Sequence, residues 1–188
     1  MKLRLFAPVL TGLVVALGAP TTWNQPSYAG STTFYCGMRQ SVPVTYARTP
    51  RGNVPIIRWV SSNYFPAPWN PQQRCRVVAQ RFQRNYDNGT LRAIVPGTLK
   101  GEPVVCAAIS RNSPCTDRTL LFTLKRGSNP SLTVGRLMDR RGLASGNGLN
   151  ESGSNCVDDC PIDYVDVTDY LNNVPVESNS QSDPEIDE

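Results

Sequence analysis

The stretch from Asn70 to Gly89 constrains the fold most, because it predicts one well-bounded helix with a cysteine on its apolar face. Asn70 suits the N-cap, Pro71 suits the first helical turn, and Gln73 completes the spacing of a capping box. The pair Asn88–Gly89 supplies a left-handed stop. The apolar residues that share one face at helical spacing are Cys75, Val78, Ala79, Phe82 and Tyr86.

Arginines lie on the other side of this predicted helix. Arg74, Arg81 and Arg84 fall together there, and the pattern predicts that all three are exposed to solvent. They are the surface-binding candidates that the sequence offers for an anionic partner.

The start of the chain has the order of a secretory signal. Lys2 and Arg4 precede an apolar run, Leu5–Gly18, and small residues flank Tyr28 before a predicted cleavage after Ala29. An uncleaved anchor is the alternative, but the run is shorter than the ~20 residues that a membrane span needs. Residues 1–29 are therefore predicted to be a signal peptide, and the mature protein is expected to be soluble and outside the cytoplasm.

An even number of cysteines behind an export signal is typical of a disulfide framework. The favoured pairs are Cys36–Cys75, Cys106–Cys115 and Cys156–Cys160, although the number of cysteines allows many connectivities. Metal binding is the rival interpretation for the last pair, but the chain has no histidine to complete a site. The disulfide candidates are Cys36, Cys75, Cys106, Cys115, Cys156 and Cys160.

Charge is divided unevenly along the chain. Residues 39–141 hold 17 basic and 4 acidic residues, a net charge of +13, whereas residues 151–188 hold 11 acidic residues and no basic one. This asymmetry favours an anionic partner for the basic part. The alternative is that both parts are solvated surfaces that partly neutralise each other.

The remaining patterns predict an α+β fold. Three β-prone runs before residue 61 indicate an antiparallel meander, the runs at 90–95 and 103–109 indicate a hairpin, and Thr119–Leu124 is predicted to be a central strand. We therefore expect an antiparallel sheet of about five or six strands, packed by a main helix at about 70–88 and a second helix at about 130–140, and stabilised by disulfides. The packed side of the second helix is predicted to hold Leu132, Leu137 and Met138.

The domain is predicted to cover residues 30–172. Its last ordered segment is predicted to run from 162 to 171 and to pack Ile162, Tyr164, Val165, Val167 and Leu171. Residues 173–188 are predicted to form an acidic, disordered tail. The aromatic run Tyr64–Trp69 is either a binding surface or a lid over the core, and the lid is favoured.

Several motifs in order resemble the cyanobacterial circadian oscillating protein family across residues 33–171. The resemblance implies an extracytoplasmic or membrane-peripheral protein whose abundance follows the day cycle, with no established catalytic activity and no catalytic residue to transfer. It also implies that Cys36, Cys75, Cys106 and Cys115 are the family's cysteines, whereas Cys156 and Cys160 are additions. The matching pieces are Thr33–Gly37, Val42–Gly52, Val54–Trp59, Arg74–Gln83, Pro103–Cys106, Leu120–Leu124 and Tyr164–Leu171.

Two functions from different classes follow from these observations. The first is a non-catalytic, disulfide-stabilised domain that rests on an anionic membrane surface or an acidic protein. The second is an extracytoplasmic enzyme, either a thiol redox protein or a hydrolase that uses carboxylates. The absence of histidine excludes Ser-His-Asp and Cys-His nucleophiles. We expect no catalytic residue, no metal, no cofactor and no nucleic-acid partner.

Overall fold

The structure, a computed structural model, describes residues 32–61, 65–137, 149–150 and 164–177. The predicted signal peptide, Met138, Ile162 and the Cys156–Cys160 pair lie outside these residues. The described strands are β1 (Thr33–Arg39), β2 (Val42–Thr49), β3 (Gly52–Arg58), β4 (Ala93–Leu99), β5 (Glu102–Ala108), β6 (Leu120–Thr123), β7 (Leu149–Asn150) and β8 (Val165–Asp166). The described helices are α1 (Pro71–Asp87), α2 (Pro130–Leu137) and α3 (Val167–Asn173).

The first sheet has the strand order β1-β2-β3-β7. Its first three strands form the predicted antiparallel meander, and β7 runs parallel to β3. The β1–β2 turn places Gln40 and Ser41 at φ values of 48° and 63°. Two left-handed residues in a row match the right-handed twist of the strands, so this short turn fixes the pairing of Arg39 with Val42.

The second sheet has the strand order β6-β5-β4-β8 and contains the predicted hairpin as β4 and β5. The α+β class is thus confirmed, with the strands divided between two sheets. The prediction that Thr119–Leu124 is central is wrong, because among the described strands β6 pairs only with β5 and lies at the edge of the sheet. Its sequence is as apolar as that of a central strand because Leu121, Phe122 and Leu124 are all buried in the main core.

The main core lies between the two sheets and α1. Side chains from both sheets meet there, and the ring of Phe82 on α1 lies 5.3 Å from the ring of Phe34 on β1. The predicted apolar face of α1 is confirmed: its Cys75, Val78, Ala79 and Phe82 are buried, and Tyr86 is half-buried against the core.

The start of α1 follows its sequence signals. The side-chain Oδ1 of Asn70 accepts a hydrogen bond from the backbone N–H of Gln73 at 2.8 Å, and Pro71 occupies the first turn. The cap satisfies one of the backbone N–H groups that a helix leaves free at its beginning.

Two predicted disulfides are present. Cys36–Cys75 joins β1 to α1 with a Cα–Cα distance of 5.5 Å, and Cys106–Cys115 fixes the loop after β5 with a distance of 5.7 Å. A Cβ atom at Gly97 on β4 would overlap with the Sγ of Cys115, so only glycine leaves room for the second bridge. Disulfides of this kind indicate an oxidising environment outside the cytoplasm.

The second helix begins where the sequence predicts. Asn129 Oδ1 accepts a hydrogen bond from the N–H of Ser131 at 2.9 Å, and the helix buries Val134 in the main core. Of the residues predicted for its packed side, Leu132 is half-buried. The side chain of Leu137 lies outside the described part of the chain.

The last described segment packs against the core. Val165, Val167 and Leu171 are buried as expected. Past residue 172, where the domain is predicted to end, Val174 is also buried and Glu177 forms an ion pair with Arg39 at 2.7 Å. The remaining tail residues, 178–188, are not among those described.

Polar groups from other elements bond to the outer edges of three strands. The N–H of Phe34 on β1 donates to Gln83 Oε1 at 2.7 Å, and Leu121 O on β6 accepts from Arg81 Nη1 at 3.1 Å. On β3, Pro55 O accepts from the Tyr170 hydroxyl at 3.3 Å, and Asn53 O accepts from the N–H of Glu177 at 2.8 Å. These bonds satisfy backbone groups that no neighbouring strand reaches. Within the described residues, no helix is long and apolar enough to cross a membrane.

Candidate functional site

The structure separates the three arginines that the sequence placed together. Arg74 is buried with 6% of its surface exposed, so the prediction of solvent exposure is wrong for this residue. Its guanidinium carbon lies 4.6 Å from the centre of the Trp59 ring and 4.2 Å from that of Phe65. An arginine stacks well between aromatic faces because its cation is planar and weakly hydrated.

Helix geometry explains the error. At about 100° per residue, Arg74 and Arg81 lie only about 100–120° around the helix from Cys75, at the border of the buried side. The buried side of α1 is wider than its apolar stripe, since it also includes Asn85, which is 1% exposed. Both sheets and the Phe65 loop contact this helix, and together they cover more of it than the apolar pattern indicates.

Arg81 is half-buried at the edge of β6. Besides its bond to Leu121 O, it lies close enough to Arg84 for their charges to interact. Burial, and then the charge of Arg84, lower the pKa of Arg81. The guanidinium stays positive at neutral pH, because the ordinary pKa of arginine lies far above neutrality.

Arg84 is exposed and reaches the loop before β6. Its Nη2 donates to the backbone oxygen of Arg118 at 2.9 Å, so these two arginines are neighbours although they are 34 positions apart. Arg118 is itself exposed. The site is therefore an arginine cluster, which we define as Arg81, Arg84 and Arg118.

The sequence did not indicate Arg118. It lies in an irregular loop, and helical periodicity carries no information about a residue outside the helix. The packing of β6 against α1 brings it to Arg84.

The arginine cluster has no carboxylate partner within 4.0 Å among the described residues. The carboxylates nearest in sequence are used elsewhere: Asp87 Oδ1 accepts from Gln83 Nε2 at 2.7 Å, and Asp117 pairs with Lys100 at 2.7 Å. The guanidinium groups of Arg81 and Arg84 donate hydrogen bonds only to backbone oxygens among the described residues. Such groups keep their charge and retain N–H donors for an anionic oxygen.

A shallow depression of about 550 Å³ lies beside Arg84 on the outer side of α1. Its other lining residues are Gln80, Gln83, Asp87 and Asn88. All five lining residues are polar or charged, and the depression is shallow and open to solvent. The arrangement is suited to contact with a broad charged surface.

The described part of the chain contains neither a free thiol nor a cluster of metal ligands. Its cysteines are all joined in the two disulfides, and no three residues among its His, Cys, Asp and Glu come close enough to hold a metal ion. Burial raises the pKa values of Tyr46 and Tyr170, so neither hydroxyl is poised to act as a base near neutral pH.

Comparison with known proteins gives one match. A family model described as circadian oscillating protein COP23 matches residues 33–172, which covers both sheets, α1, α2 and almost all of α3. No curated protein and no solved structure matches the chain. The family match agrees with the resemblance that the ordered motifs show, and the chain belongs to the circadian oscillating protein COP23 family.

Proposed function

We propose that this protein is a non-catalytic, extracytoplasmic domain that associates with an anionic membrane surface through the arginine cluster. The observation that carries the proposal is that exposed Arg84 bonds to the backbone of exposed Arg118, and that neither has a carboxylate partner in the described residues. Family membership alone assigns no molecular activity. The export signal predicted for residues 1–29 supports a location in the periplasm, the thylakoid lumen or the medium.

Electrostatics sets the expected strength of the association. A basic residue close to an anionic membrane contributes about 1 kcal/mol, so Arg84 and Arg118 together contribute about 2 kcal/mol, or about a 30-fold change in affinity. The attraction is screened over about 10 Å at 0.1 M salt. Binding that depends on this cluster must therefore weaken as salt is added.

Sedimentation with lipid vesicles tests the proposal. The Arg84→Gln/Arg118→Gln variant is compared with the wild type on anionic and on neutral vesicles. Lys125→Gln/Arg126→Gln is the matched control, since it removes the same charge from exposed positions at the other end of β6. Arg81 is left in place because its loss would free the carbonyl oxygen of Leu121.

We expect the cluster variant to lose about 30-fold in affinity for anionic vesicles, and the control to lose much less. Equal losses in the two variants would show that only net charge matters. Salt-insensitive binding would reject the arginine cluster as the contact, and no binding to anionic vesicles would reject the membrane as the partner. In that case an acidic protein becomes the next candidate for the cluster.

A further inference from the structure

The loop before α1 presents an exposed apolar surface. Pro66, Ala67, Pro68 and Trp69 are all exposed, and Trp69 leaves 39% of its surface in solvent. The lid expected from the sequence holds for Phe65, which packs on Arg74, but not for Trp69. Trp69 lies beside three other exposed apolar residues, and a contiguous apolar patch with a tryptophan in it is a candidate contact surface.

This loop is held in place by specific contacts. The N–H of Trp69 donates to Pro66 O at 3.0 Å, and the N–H of Asn70 donates to Pro68 O at 2.8 Å. Phe65 is fixed at the other end by its stacking on buried Arg74. The loop that carries Trp69 is therefore already ordered, so little conformational entropy is lost when Trp69 contacts a partner.

The surroundings of the loop favour an anionic partner. The chain contains no Asp or Glu before Asp87. The first three strands and most of α1 therefore carry arginines but no carboxylate of their own. Along the outer side of α1, Arg76, Gln80 and Arg84 follow one another at a spacing of four residues, and all three are exposed. At 1.5 Å per residue, α1 is about 25 Å long, with Trp69 before its first turn and Arg84 in its last.

We propose that Trp69 enters the headgroup region of an anionic bilayer while the arginine-bearing side of α1 lies along its surface. The inference rests on the proposed function and names the apolar contact that accompanies it. Tryptophan suits this position because its ring is apolar and its indole N–H is a hydrogen-bond donor. In binding at a membrane surface, buried apolar area and electrostatic attraction to anionic lipid add together.

Fluorescence of the mature protein, from Gly30 onward, tests the position of Trp69, because Trp23 is removed with the predicted signal peptide. The Trp69→Phe variant removes this reporter, so the difference between wild-type and variant spectra isolates its emission. Trp59 contributes a constant background, because it is 1% exposed in the core. Vesicles contain anionic lipid, with or without brominated acyl chains that quench tryptophan on contact.

We expect the Trp69 emission to shift to shorter wavelength and to be quenched by brominated anionic vesicles. Trp69→Ala should weaken vesicle binding about tenfold, since the exposed part of the ring is removed from water on insertion. Ile109→Ala is the matched control, because Ile109 is 60% exposed elsewhere on the domain, and this variant should bind as the wild type does.

The outcomes separate this inference from the proposed function. Vesicle binding that depends on Arg84 and Arg118, but leaves Trp69 unquenched and is unchanged in Trp69→Ala, overturns the inference alone. An equal loss in Trp69→Ala and Ile109→Ala also overturns it, because any exposed apolar side chain would then suffice. Failure of the wild type to bind anionic vesicles overturns both proposals.

Discussion

Removing the Cys36–Cys75 disulfide is expected to cost more stability than removing Cys106–Cys115. The perturbation is a double alanine substitution at each bridge. The two pairs are matched in burial, because each joins one fully buried cysteine to one that is half-buried. The local packing losses should therefore be similar, and the difference between the two variants reports mainly on the unfolded chain.

The size of the difference follows from the loop that each bridge closes. The sequence separations are 39 and 9 residues. The chain-entropy relation then gives a loss of about 3.9 kcal/mol for the longer loop and about 2.6 kcal/mol for the shorter loop at 25 °C. We expect the Cys36→Ala/Cys75→Ala variant to be the less stable of the two by about 1.3 kcal/mol.

Urea unfolding followed by circular dichroism measures these free energies. The free energy is extrapolated for each variant separately, because loss of a crosslink expands the unfolded state and raises the slope m. Alkylation and intact-mass measurement of the native wild type must first show no free thiol at Cys36, Cys75, Cys106 or Cys115. A loss at Cys106–Cys115 equal to or greater than that at Cys36–Cys75 would refute the loop-closure reasoning.

Three further substitutions test the packing by the same urea measurement. Phe82→Ala should cost about 3–5 kcal/mol, because the ring is 1% exposed and lies against Phe34, and an unchanged midpoint would mean that the helix face is assigned wrongly. Gly97→Ala should cost about 1–3 kcal/mol through its overlap with Cys115, and a neutral effect would show that the loop moves freely. Tyr170→Phe should cost about 1 kcal/mol by removing the hydroxyl from Pro55 O, and a stability equal to that of the wild type would contradict this bond.

Sequence patterns that act over a few neighbouring residues predicted the local structure correctly. The helical spacing around Phe82 and the N-cap at Asn70 each act over a few positions, and both predictions were confirmed. The favoured disulfides also followed, because one bridge joins an early strand to the helix and the other closes a short loop.

Features that depend on packing between distant segments could not be predicted in this way. Arg74 has a charged side chain but is buried, because two aromatic rings from other segments enclose it. Arg84 and Arg118 are neighbours only because β6 packs against α1. Glu177 belongs to an acidic run, yet its backbone and carboxylate bond to β3 and Arg39. The type of each of these residues is known from the sequence, but its role depends on a contact partner that the sequence does not identify.

The polar groups at the strand edges have a consequence for contacts between molecules. A β-strand of another chain can extend a sheet only by taking the backbone N–H and C=O groups at its edge. At the positions described, an incoming strand would first have to displace bonds already made within the domain. We therefore expect the protein to resist self-association into fibres at high concentration, and its partners to recognise side chains. The residues that hold these edge groups are Gln83 on β1, Arg81 on β6, and Tyr170 and Glu177 on β3.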